Sequence, residues 1–131
     1  MSQKDTNFFN IDALEQGISR TLAEGITTRI FSGRHAMISV VRIEPNALGA
    51  IHSHAQEQWG VMIKGSAIRI QDGEEIAVGQ GDFWCSPGGV KHGIIGGPDG
   101  AIILDVFSPP RSEYTKPGRG FSSDGSDDEA L

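Results

Sequence analysis

Two histidines one residue apart, His52 and His54, open a polar run, His52-Ser53-His54-Ala55-Gln56-Glu57-Gln58, inside an otherwise apolar, strand-like stretch. The chain has four histidines, so half of them stand here. In an extended strand, residues of one parity share a face. That turns His52, His54 and Gln58 one way and Glu57 the other. Adjacent imidazoles on one face form a ready pair of donors for a borderline divalent ion such as Zn, Ni, Fe, Mn or Cu. His92 lies far downstream, after Gly81-Asp82-Phe83-Trp84-Cys85-Ser86-Pro87-Gly88-Gly89. If the fold returns it to the first pair, three of the four histidines share one site. His35, alone in a turn, reads as a surface residue.

A second set of candidates follows. Asp105 interrupts Ile102-Ile103-Leu104-Asp105-Val106-Phe107, and a carboxylate in such a strand must be paired or functional, because burying an unpaired charge is costly. Arg111 comes soon after. Two readings stand: a structural pairing of Asp105 with Arg111 or with backbone, or Asp105 as a proton shuttle and Arg111 as a bidentate clamp for a carboxylate. Cys85 is the single cysteine, which excludes an intrachain disulfide; in its apolar strand it reads as a small core residue. Trp59, Phe83 and Trp84 read as core or pocket wall.

The elements that must position these groups are strands. Residues 26–32, 36–44, 48–54, 58–63, 66–71, 74–78, 83–86, 90–95 and 101–107 have strand-like patterns, separated by turn residues. Asp72-Gly73 marks a hairpin of the type I′ kind. No crossover helix has room to form, so antiparallel pairing in a sandwich or barrel is expected. Upstream, Phe8, Phe9 and Ile11 suit an edge strand, and residues 12–17 one capped helical turn. The 131 residues suit one domain: an N-terminal extension (1–25), a barrel (26–116) and an acidic Gly/Ser/Asp tail (117–131) read as solvated.

Composition narrows the partners. Net charge is −6, and residues 117–131 supply −3 of it through Asp124, Asp127, Asp128 and Glu129 against Arg119. No basic face for nucleic acid is suggested. The N-terminus lacks signal-peptide features, and no apolar run approaches the ~20 residues that cross a bilayer. A cytoplasmic protein without membrane partners is expected, with a small-molecule substrate. Self-association as a homodimer is expected through sheet edges and the N-terminal segment.

The spacing resembles a known family. Gly49, then His52-x-His54-x3-Gln58 and Gly65, is similar to the first cupin motif with glutamine in place of its glutamate. Gly81-x5-Pro87-x-Gly89-x2-His92 is similar to the second, and fifteen residues separate Gly65 from Gly81. The resemblance implies an all-β jelly roll, a double-sheet antiparallel barrel, with one divalent transition metal on His52, His54, Gln58 and His92. Gln58 leaves the ion's full charge in place, which strengthens it as a Lewis acid and disfavours Fe(III) chemistry. Glu57 could replace Gln58 only if a bulge flipped the local parity.

Together with Leu-Asp-Val-Phe-Ser-Pro-Pro-Arg at 104–111, the first motif is similar to the pectin-degradation cupins, which linearise 4,5-unsaturated uronates. That likeness implies an isomerase-like or lyase-like enzyme with Asp105 and Arg111 catalytic and Phe107 and Arg111 against the substrate; Trp59, read as pocket wall, is expected against the substrate as well. Two alternatives keep the fold: an Fe/Mn-dependent small-molecule dioxygenase, and a non-catalytic cupin that binds a metal or sugar acid.

Overall fold

Strand after strand alternates between a sealed and an open face. On one strand Met37, Ser39, Val41 and Ile43 are each at most 5% exposed, and of the residues between them Ile38 is exposed, Arg42 half-buried and Val40 covered. Burying such faces against one another drives two sheets together. The computed structural model describes residues 2–121; the solvated end expected beyond Phe121 lies outside the described residues. The elements run α1 (Gln3–Asn7), β1 (Ile18–Ala23), β2 (Ile26–Ser32), β3 (Met37–Ile43), β4 (Leu48–His52), β5 (Glu57–Gln71), β6 (Glu74–Gly79), β7 (Phe83–Ser86), β8 (His92–Ser108), a 3-10 turn (Ser112–Thr115) and β9 (Gly118–Arg119). Among the described residues no helix is long and apolar enough to cross a membrane.

The long antiparallel pair β5–β8 is the spine, from Glu57↔Ser108 to Gln71↔His92. Its first half, with β7 on one side and β3, β2 and β1 on the other, makes one layer. Its second half, with β6 and β4, makes the other. This is the expected jelly roll, with the core between the layers. The breaks expected at Gly65 and at residues 96–100 are bends within β5 and β8. Gly65 and Gly100 take positive φ (87° and 75°) beside register shifts, so both strands pass from one layer to the other without ending.

Three expectations at the ends are corrected. The sheet begins at Ile18, because β1 pairs with β2, so the barrel reaches into the N-terminal extension. Residues 8–17 form neither an edge strand nor a helical turn. They lie over the outer face of β2 and β3, with Phe9 on Phe31 (4.6 Å between ring centroids) and the Ile11 carbonyl accepting from Arg42 Nη2 (2.6 Å). At the other end, Pro117 to Phe121 is no tail: β9 pairs with β1 and Phe121 is buried. Cys85 also departs from its reading. It is half-buried opposite Trp59 on the outer face, while Trp84 and Ser86 take the inward positions.

Candidate metal centre

The register of β4, β5 and β8 brings the three histidines together. His52 closes β4 directly opposite His92, the first residue of β8. His54 follows in the turn before β5, where Gln58 faces inward at 4% exposure. One donor atom from each of His52, His54 and His92 lies within 4.8 Å of the others, a spread that two metal–nitrogen bonds of ~2.1 Å nearly span. Glu57 takes the outer face, where its carboxylate accepts the Trp59 Nε1–H (2.8 Å), so no bulge substitutes it for Gln58.

Each ring is oriented by main chain. A carbonyl lies beside every Nδ1: Ala50 for His52 (2.9 Å), Gln56 for His54 (3.0 Å) and Val90 for His92 (3.0 Å). A carbonyl only accepts, so each Nδ1 carries the proton and each Nε2 presents a lone pair. His92 Nε2 is sealed from solvent with no partner. His54 Nε2 lies 2.9 Å from Gln58 Oε1. The Gln58 amide N–H faces Asp105, so its oxygen is the atom turned to His54, and two acceptors face each other. A cation between them removes that conflict. The residues therefore fit a divalent ion, with His52, His54, His92 and Gln58 as its neutral donors.

Electrostatics point the same way. Burial pulls the imidazoles down from 6.5 to about 3 (His52), about 4 (His54) and about 2 (His92), so they stand neutral and ready to ligate. Unfolded histidines bind protons from about pH 6.5, whereas these do not, so the metal-free fold loses stability as pH falls below that value. Asp105 acts in the opposite sense, because burial raises its folded value to about 6. At about 1.4 kcal/mol per unit, His52 and His92 together outweigh Asp105, for a net loss on the order of 4 kcal/mol by pH 4. Urea unfolding of metal-free protein checks this; stability that holds level or rises over that range contradicts it.

Asp105, Phe107 and Arg111 stand around the same small cavity as His52, Gln58 and His92, about 30 Å³ in volume. Asp105 is half-buried as a residue, but its Oδ1 is sealed and unpartnered. Arg111 is 1% exposed and stacks on Tyr114 (4.0 Å to the ring centroid). Its Nη2 donates to the Phe121 carbonyl and lies 3.0 Å from Glu113 Oε1, while Nη1 has no partner. Asp105 and Arg111 share no hydrogen bond, and Arg111 is held instead by Glu113 and the Phe121 carbonyl. Trp59 is placed elsewhere: 44% exposed on the outer face, it does not line the cavity.

Sequence reasoning missed Arg69, Tyr114 and Phe121. Arg69 (6% exposed) lines the cavity and donates to Ser86 Oγ (2.8 Å); burial lowers it to about 10, so it stays charged. Its signal was parity, since it shares a face of β5 with the buried Ala67. Tyr114 and Phe121 carried no such periodic signal.

Comparison with known proteins agrees with this geometry. The chain is 35% identical over 91 residues to oxalate decarboxylase OxdC of Bacillus subtilis, covering 65% of this chain but only 24% of that protein. It thus spans about a quarter of that relative's length. It is 26% identical over 95 residues to the pectin degradation protein KdgF of Dickeya dadantii, covering 71% of this chain and 86% of that one. The solved structure of KdgF from Halomonas sp. superposes with a TM-score of 0.68 at 25% identity, covering 72% and 88% of the two chains. The cupin domain model matches residues 39–107, the stretch that holds all four candidate donors together with Asp105 and Phe107. By its jelly roll, its paired motifs and that match over more than half its length, this chain belongs to the cupin domain family.

Proposed function

We propose that the protein is a metal-dependent cupin enzyme that opens the ring of a small carboxylated sugar derivative, an unsaturated uronate. The observation that carries the reading is a cluster of three lone-pair imidazole nitrogens, two of them (His52 and His92) lining one cavity with an unpartnered Asp105 oxygen and an unpartnered Arg111 N–H. The likeness to KdgF supports the substrate class. His52, His54, Gln58 and His92 would hold a divalent ion, which when bound would supply a Lewis acid toward substrate oxygens. Arg111 Nη1 donates to the substrate carboxylate and fixes its orientation. Asp105, raised to about 6 by burial, takes and returns the proton that ring opening and tautomerisation move. Phe107 lines the cavity beside them. Incubating metal-loaded protein with 4,5-unsaturated galacturonate and following the cyclic form by NMR tests this. Accelerated loss is expected; a rate equal to buffer, with metal bound, rejects it.

The same reading includes a cytoplasmic homodimer. Its support is an apolar outer face spanning β7, β5, β8, β3 and β2. One register row is Cys85, Trp59, Val106, Ile38 and Phe31, and the next holds Phe83, Val61, Leu104 and Val40. Trp59 (44%), Phe83 (69%) and Ile38 (39%) remain open to solvent. Sedimentation should give twice the 14.0 kDa chain mass, and W59K/F83D should give a monomer. A monomeric parent protein rejects the dimer.

A further inference from the structure

The C-terminal strap closes the site. β9 runs parallel to β1, with Gly118 opposite Arg20 and Arg119 opposite Thr21. Arg20, 4% exposed, donates to the carbonyls of Glu113 (2.9 Å), Lys116 (3.4 Å), Arg119 (2.9 Å) and Gly120 (2.9 Å). Among the described residues the strap runs to Phe121, whose ring stacks on the candidate donor His52 with centroids 4.3 Å apart. The ring also abuts Gly49, where a Cβ would stand only 3.3 Å from Phe121 Cζ. Phe121 therefore fills the end of the barrel next to the donors.

Two facts make this placement functional. The remaining cavity, about 30 Å³, is an order of magnitude below the roughly 300 Å³ at which small-molecule sites begin. A sugar acid and the Phe121 ring cannot both be inside. Moreover, Arg111 Nη2 is bound to the Phe121 carbonyl and lies 3.0 Å from Glu113 Oε1, while Nη1 is unpartnered. A carboxylate gripped by both nitrogens has to displace that carbonyl, so ligand entry and strap release are one event. Building on the function proposed above, we infer that residues 116–121 form a gate over the metal cavity, with Phe121 the residue that sets the size of ligand admitted. The strap's own carbonyl holds the place of a ligand oxygen until a carboxylate arrives.

The test uses two monocarboxylates, formate and benzoate, titrated into the Co(II)-loaded full chain and followed by the visible spectrum of the ion. Formate, small enough for the cavity beside Phe121 and held by Nη1 alone, should bind the parent protein and F121A within about 3-fold, whereas F121A should bind benzoate at least 10-fold more tightly. Equal benzoate affinity in the two overturns the gate. A second pair holds if F121A does not fold. T21C/R119C, oxidised to tie β9 to β1 and with the disulfide mapped by mass spectrometry, should bind benzoate at least 10-fold more weakly than its reduced form. Equal affinities in those two forms overturn the gate as well. A negative uronate assay alongside positive size discrimination rejects the substrate reading and leaves the gate standing.

Discussion

Asp105→Asn should lower turnover of the uronate by about 10²–10⁴-fold, the usual contribution of a positioned proton-transfer group, while metal content stays at the parent level. The carboxyl is the one chemically mobile group on its side of the cavity. Burial holds it at about 6, near neutrality, although Arg69, Gln58 and Arg111 all favour the charged form. Asparagine keeps the shape and can still accept from the Gln58 amide, so the donor set is undisturbed, but it cannot take a proton. The acidic limb of the parent's kcat/KM profile should vanish in the variant together with the rate. Metal analysis beside NMR progress curves separates the outcomes. Turnover within 3-fold of the parent's would remove Asp105 from the chemistry, and loss of metal would make it a structural support.

His92→Ala should abolish metal binding and the stability that accompanies it. His92 is 1% exposed, its Nδ1–H is spent on the Val90 carbonyl, and its Nε2 has no protein partner. Without it, His52 and His54 remain as an incomplete pair. A ligand present at 100 times its dissociation constant stabilises a fold by about 2.7 kcal/mol. The parent should therefore lose roughly that much on treatment with EDTA, and the variant nothing. Differential scanning calorimetry with and without chelator, beside elemental analysis, provides the check. A variant that still holds one ion per chain would overturn the assigned donor set. The truncation also leaves a void that costs the metal-free protein stability in its own right, so the comparison is each protein with and without EDTA.

Much of the site was legible because its information is local. His52 and Gln58 took the inward positions that strand parity assigned them, and Glu57 took the outer one. The glycines around His92 marked a turn, and the turn returned it opposite His52. Parity also held the clue to Arg69, whose inward place beside Ala67 went unread. The errors share a cause: they lie where a segment's fate depends on a distant partner. The Gly-Ser-Asp character from Pro117 onward describes a chain that water can solvate, and nothing nearby contradicts it. Arg20, about a hundred positions earlier, offers its guanidinium to those carbonyls and turns the segment into a strand over the site. Trp59 and Phe83 failed differently: large apolar side chains suggest the interior, but their parity places them on the outer face.

By itself, then, the order of residues determined most of the strand pattern and the inward parity of His52 and Gln58, because each follows from steric preferences and alternation within a few residues. The full candidate donor set rested on the likeness to the cupin motifs. Only the tertiary structure decided which groups surround those donors: Arg69 charged behind Asp105, Arg111 tied to the Phe121 carbonyl, and Phe121 on His52. Those placements are settled by pairings between strands and segments far apart in the chain, and such closures leave no mark on the local sequence.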